Sequence, residues 1–518
     1  MNESATPQTI KIPWFTSGDV DGFFGLFFSG FPDLLLIVGL APLCGLPVQF
    51  VVTRILPGVA VSVLGGNLFY AWQARRLAMR ERRTDVTAIP FGINTPTIFA
   101  YVFLIMVPVY NRTHDAMLAW QAGVFASLLS GVVQTAGAFC MDWFRRHTPK
   151  SALLAPLAGL SIAYLCLGFV FGVFQQASVA LFPMLVLFAL YGSKMKLPWR
   201  LPPALVAIAL GAGLVAVLRA LHVYNVPLVP VARAGLFMPH GVNVLALFGQ
   251  RAWWGYLAII LPLAGLDTLA SLMILESIKC EGDDYATRPS LLMNGLGTIL
   301  AAMLGSPFPT TLYLGHAAHK ANGARAGYSV LNGVAIAALC CTGVLPIVLR
   351  VVPLEVAAPV IVWFGLVTVG QAFGEVPKTE ALAVALGLLP ALAQWATTLA
   401  DTVARKAGTS LYALAPKMGN DLALGGLIAM GQGSLLTSML WCAALTLIVR
   451  RRFLAAAGWV GAMAVLSAFG VIHAYALAPE GVESVIRWGA APAFAWSYAA
   501  GAGFLLVCAA RPKESFRE

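Results

Sequence analysis

Apolar runs of about 20 residues recur along this chain from near Phe23 to near Ala509, separated only by short polar breaks. At 1.5 Å per residue such a run covers the roughly 30 Å of a bilayer's hydrocarbon core as a helix. In that medium the backbone must satisfy its own hydrogen bonds, and a helix does so within one segment. With 59% hydrophobic and 11% charged residues over 518 positions and a mean hydropathy of +0.82, the chain lies outside the soluble globular range. The expected fold class is an all-α polytopic membrane protein. No break is long enough for a soluble domain, which argues against a non-transporting receptor or scaffold.

The runs fall near 22–44, 52–74, 88–110, 117–140, 152–174, 177–193 and 202–220, and resume near 253–277, 288–305, 309–323, 327–351, 354–374, 379–398 and 422–449. Two more, near 453–476 and 489–510, precede a polar tail. With the N-terminus inside, most of the 33 Lys and Arg fall in cytoplasmic loops, the densest set running from Arg75 to Arg83. This threading places both termini in the cytoplasm and the chain in the cell membrane as a multi-pass protein. It also accounts for the net charge of +11 as a topology signal, so no nucleic-acid partner is expected. The N-terminal stretch has no signal-peptide pattern, so the first span is expected to be retained. The eight cysteines lack metal-ligand spacing, and neither a metal nor another cofactor is expected.

Seven spans is an odd number, so a second, related half would enter the membrane in the opposite sense, as an inverted repeat. The third run of each half is the one most broken by proline and glycine. In the first half it reads Thr87-Ala88-Ile89-Pro90-Phe91-Gly92-Ile93-Asn94-Thr95-Pro96-Thr97; in the second, Gly305-Ser306-Pro307-Phe308-Pro309-Thr310-Thr311-Leu312-Tyr313-Leu314-Gly315-His316. Proline removes a backbone donor and disfavours helix in the residue before it, so each segment is expected to be an extended piece running into a helix. Two helix N-termini would then face each other at mid-depth, a setting for a small polar solute.

Asp267 lies deep in an apolar run whose other ionisable group, Glu276, sits near the end. A carboxyl there is costly, and is a candidate both for holding substrate and for carrying a coupling proton; a structural carboxyl bonded to a neighbouring hydroxyl is the other reading. Phe91 and Asn94 are candidate substrate contacts, Asn94 being equally suited to capping a helix. Tyr313 could stack on a planar solute or simply pack. No metal site or nucleophile-and-base motif accompanies these residues, so an enzyme is not expected.

The stretch from Thr310-Thr311-Leu312-Tyr313 to Ala317-Ala318, continuing through Gly323, Arg325 and Gly327, resembles the nucleobase–ascorbate transporters, closest to their adenine, guanine and hypoxanthine branch. Asp267-Thr268 resembles that family's acid-hydroxyl pair, and Pro90 to Asn94 its proline- and glycine-rich third span. The resemblance implies a uracil-permease-like fold of 7+7 inverted repeats with broken third and tenth spans. It would have cores at 22–142 and 253–351 and gates at 152–220 and 354–449; the extra pair of spans at 453–510 departs from that plan and is available to cap the gate or pair two copies as a homodimer. The implied function is elevator-type secondary transport of a purine-like nucleobase coupled to a proton or sodium ion, with Asp267 and the backbone of Tyr313, Leu314 and Gly315 holding the substrate. The family's tenth-span glutamate falls on Gly315, with His316 beside it as a substitute or as a packing residue. Losing that acid opens a rival on the same architecture, a sulfate-permease-like anion carrier, in which positive helix ends hold an anion.

Overall fold

A computed structural model describes residues 12–193, 195, 197, 203–223, 235–351, 353–418, 423–479 and 481–510. The expected cytoplasmic placement of the two ends, 1–11 and 511–518, lies outside the described residues. Among the described residues the regular structure is helical except for two short antiparallel strand pairs.

The first half comprises α1 (Gly18–Leu40), α2 (Leu56–Glu81), strand β1 (Phe91–Ile93), α3 (Thr95–Tyr101), α4 (Ala116–His147), α5 (Lys150–Leu160), α6 (Ala177–Gly192) and α7 (Pro203–Ala220). The second comprises α8 (Leu257–Cys280), α9 (Thr287–Met303), strand β2 (Thr310–Leu312), α10 (His316–Ala321), α11 (Gly327–Thr342), α12 (Leu354–Gly374), α13 (Ala381–Lys406) and α14 (Ser434–Val449). After them come α15 (Phe453–Ala468), β3 (Tyr475–Ala478), β4 (Gly481–Ser484) and α16 (Pro492–Ala510). Among the described residues eight helices are long and apolar enough to cross a membrane, or nine if the Leu424–Gly431 helix and α14, which meet at 86°, form one span. The apolar helices of α6, α7, α11 and α15 are shorter.

The helices sort by packing. The α2 helix lies along α11, and α4 along α9; α13 lies along α5 and α14, and α12 along α6. Small residues permit the closest of these approaches. A Cβ on Gly295 of α9 would lie 2.6 Å from the backbone nitrogen of Thr135 in α4, and one on Gly66 of α2 would lie 2.0 Å from the Phe91 ring. Ion pairs between loops join segments that the charge-based threading puts on one side: Lys150 with Glu375 at 2.8 Å, Arg450 with Glu380 at 2.7 Å, and Arg83 with Asp283 at 3.1 Å. Arg112 and Glu483, at 4.0 Å, meet on the other.

The two proline-rich segments are extended pieces running into helices, and they pair with each other. Strand β1 runs antiparallel to β2 in the register Phe91 to Leu312, Gly92 to Thr311 and Ile93 to Thr310. Flanking bonds from Tyr313 N–H to Pro90 C=O (2.8 Å) and from Asn94 N–H to Pro309 C=O (3.0 Å) extend the pair. The prolines forbid helix here, and the partner strand supplies the hydrogen bonds that a buried extended backbone needs. The start of α3 is set by Asn94, whose side chain accepts the Thr97 N–H at 3.0 Å, and by Pro96 in its first turn.

The apolar stretch expected near 453–476 is not one helix. It stops at Ala468, turns through Gly470 and His473, both at positive φ, and continues into the β3–β4 hairpin. Hydropathy alone does not separate an apolar helix end from an apolar strand.

Candidate functional site

Asp267, 6% exposed in the middle of α8, faces the paired strands. Its Oδ1 accepts from Asn94 Nδ2 and from Thr311 Oγ1, both at 2.6 Å, and its Oδ2 accepts from Gln134 Nε2 at 2.5 Å. The amide orientation of Asn94 is fixed by its cap, because Oδ1 takes the Thr97 N–H and leaves the NH2 for Asp267. Gln134 is oriented likewise, its Oε1 accepting from Thr298 at 3.1 Å, while Thr298 Oγ1 accepts the Thr310 N–H. Three hydrogen bonds thus converge on the two oxygens of one buried carboxyl group. Asp267 therefore joins α8, α4 and both strands through one group.

A second carboxylate, which sequence reasoning missed, mirrors it. Asp33, 2% exposed in α1, accepts from Thr95 Oγ1 at 2.7 Å and from Tyr313 Oη at 2.8 Å; the same hydroxyl lies 2.8 Å from the Ile93 carbonyl. The residue that follows each strand thus donates to the acid of the opposite half: Asn94 after β1 to Asp267, and Tyr313 after β2 to Asp33. The signal was available, since Phe31-Pro32-Asp33-Leu34 puts a lone acid inside an apolar run just as Leu266-Asp267-Thr268 does. Gln134 and Thr298 carried no such signal, because one amide or hydroxyl in a membrane helix is common.

The other expected residues divide. The Phe91 ring is fully buried against Tyr70, with centroids 5.2 Å apart, and packs on Gly66, so its side chain is core. Leu314 is 62% exposed and Gly315 is also exposed, at φ +107, a conformation that favours glycine. They form the open side of the strand pair, ahead of α10. His316 turns the other way. It is buried, with Nε2 3.0 Å from the Thr87 carbonyl and 3.3 Å from Asp283 Oδ2, and it takes no part in the Asp267 cluster.

Asp283 is the hub of that second network, in the connection between α8 and α9. Fully buried, it also receives Lys320 Nζ at 2.7 Å, Arg83 Nη2 at 3.1 Å and the Thr87 N–H at 3.1 Å. The network ties the end of α10 to the segment leading into β1. Burial alone would raise this carboxyl, but the bonds from His316, Lys320 and Thr87 outweigh it and hold it below its ordinary 3.8. A carboxyl lowered in the folded state stabilises the protein above about pH 4, and that contribution is lost as pH falls through the lowered value. Asp283→Asn, which leaves Arg83 and Lys320 facing a neutral amide, is expected to cost about 2–4 kcal/mol. It should flatten the acid limb of the melting temperature measured from pH 6 to pH 3; an unchanged melting profile would show that the network adds no stability.

No family model matches the chain, and no curated protein does. Solved structures do. The transmembrane domain of a cyanobacterium bicarbonate transporter, BicA, superposes with a TM-score of 0.52 at 15% identity, covering 72% of this chain and 94% of that one. SLC26A9 gives 0.52 at 13% identity, over 73% of this chain and 63% of that one. The murine Slc26a9 anion transporter in its inward-facing state gives 0.51 at 12% identity, over 74% of this chain and 66% of that one. The chain therefore spans less than two thirds of the two SLC26A9 chains. At these identities the likeness is one of fold, that of a membrane transporter's transmembrane domain. It corrects the family expectation: these neighbours are bicarbonate and anion transporters, not nucleobase–ascorbate transporters. The site gives the physical reason. Gly315 has no side-chain acceptor and its carbonyl takes the His319 N–H, His316 faces Asp283, and the oxygens of Asp267 are occupied by three internal donors, so the acids that would hold a purine's N–H groups are not presented.

Proposed function

We propose that this chain is a secondary transporter of a small anion, held on the open side of the β1–β2 pair at the turn from Leu314 into α10. The observation that carries this reading is the occupancy of the two central carboxylates. Asp33 and Asp267 already accept five side-chain hydrogen bonds between them, which leaves backbone N–H groups at Gly315 and beyond as the recognition elements. Donors without acceptors select anions. The likeness to bicarbonate and anion transporters supports the same class, and the sulfate-permease-like alternative becomes the main reading.

In this proposal residues 22–142 and 253–351 form a core of two inverted halves, with the third and tenth spans broken at β1 and β2. Residues 152–220 and 354–449 form the gate along which the core slides, and 453–510 are an addition to the fourteen-span plan. Asp267 repels a bare anion whenever it is ionised, so entry of a proton or sodium ion with the anion is expected to favour transport. The test is uptake of radiolabelled bicarbonate, sulfate, chloride and formate by purified protein in liposomes, with and without inward proton and sodium gradients. Saturable uptake of at least one anion, faster with a cation gradient, is expected. No saturable uptake of any of these anions by folded, reconstituted protein would overturn the anion reading.

A further inference from the structure

Away from the strands, the seam between α8 and α13 holds a cavity of about 90 Å³ whose lining includes Pro108, Arg112, Tyr256, Thr398, Asp401 and Val482. Its floor comes from both sides of the seam: the Val107–Thr113 helix and the start of α8 on one, α13 on the other. Its roof is the β3–β4 hairpin, which belongs to neither.

The hairpin is anchored at its base and reaches across at its tip. At the base, His473 Nδ1 lies 2.9 Å from the Ala429 carbonyl and Nε2 lies 2.8 Å from Tyr498 Oη, with the ring stacked on Phe494. Ser484 Oγ donates to Gln432 Oε1 at 2.9 Å, beside the break that precedes α14. At the tip, Arg112 donates a short hydrogen bond to the Val482 carbonyl and sits 4.0 Å from the Glu483 carboxylate. Gly481, at φ +131, lies over Arg405 of α13 so closely that a Cβ would come within 2.8 Å of its guanidinium. Arg405 in turn bonds Asp401 at 2.9 Å and the Asn111 carbonyl at 3.5 Å.

One short strand pair thus grips a helix on each side of a seam along which the transport reading requires sliding. We propose that the β3–β4 hairpin is a lid over this vestibule, latched by Arg112, which must release before a solute or a reagent can enter from the Arg112 face. The function of the lid rests on the transporter reading; its latching does not, and the experiment reads latching alone. A rim arginine hydrogen-bonded to a carbonyl and facing one carboxylate is a suitable catch, because a part-exposed contact of this kind is reversible.

The test uses full-length protein in liposomes, with Cys140, Cys341 and Cys508 replaced by serine and Thr398→Cys introduced in the vestibule, reacted with a membrane-impermeant thiol reagent applied from the Arg112 face. Arg112→Gln is expected to raise the labelling rate of Thr398→Cys about tenfold, the equivalent of losing one charge-assisted hydrogen bond. Labelling of Asp115→Cys, exposed on the same face but outside the vestibule, should stay unchanged. Gly481→Val displaces the tip from the α13 side and should act alike, which keeps the proposal testable if Arg112→Gln folds poorly. Equal Thr398→Cys labelling rates with and without these substitutions would overturn it.

Discussion

Asp267→Asn is expected to abolish uptake and to lower the unfolding free energy by about 3 kcal/mol. The substitution is nearly isosteric, so the loss comes from polarity alone. Wherever the new amide points, its NH2 meets a donor: Asn94 Nδ2 and Thr311 Oγ1 on one side, or Gln134 Nε2 on the other. Asn94 cannot flip in response, because its oxygen caps α3 at Thr97, and Gln134 is tied to Thr298. One buried donor is left facing another, and α8 loses its tie either to the strands or to α4, according to which way the amide points. Thermal unfolding in detergent and uptake in liposomes would be measured on the same preparation. A variant with wild-type melting temperature and uptake would mean that Asp267 does not hold the strand pair together. A variant with wild-type stability and uptake but no response to a proton gradient would instead assign Asp267 to coupling.

The second large effect is expected at Gly92. A Cβ there would lie 2.6 Å from Tyr313 Cζ and Oη. A tyrosine tip can usually swing aside, but this hydroxyl is held by Asp33 and the Ile93 carbonyl, both at 2.8 Å. Gly92→Ala therefore forces the ring off both partners and leaves Asp33 buried with Thr95 alone, a loss of about 2–3 kcal/mol. Uptake should fall at least tenfold. The added change Tyr313→Phe separates the causes: it removes the hydroxyl and with it the tether to Asp33 and Ile93, leaving the ring free to swing from the new methyl, so if the clash is the problem the double variant should be no worse than Tyr313→Phe alone. Additive losses would show that Gly92 matters for a reason other than Tyr313.

Much of the site was readable before any coordinates. Proline and glycine act locally, so Pro90, Pro96, Pro307 and Pro309 marked the two extended segments from sequence alone, and a lone acid in an apolar run marked Asp267. Pairing is not local. That β1 and β2 are partners, in a register that puts Gly92 opposite Thr311, joins residues more than 200 positions apart, and no periodicity encodes it. Asp33 carried the same signal as Asp267 yet gained meaning only when Tyr313 was seen to reach it from the other half. His316 shows the converse: its place next to Gly315 suggested the site, but neighbouring helical residues point about 100° apart, and its ring went to Asp283.

By itself the sequence determined the solvent and the class of structure, because apolar run length and the Lys and Arg distribution answer directly to bilayer thickness and to the cost of moving charge across it. It also determined where the helices break. The tertiary structure decided what those breaks bring together: which strands pair, which carboxylates their side chains engage, and that a short hairpin near the C-terminus roofs the seam. Each of these depends on contacts between segments far apart in the chain, whose geometry is set by packing rather than by any residue's own preference.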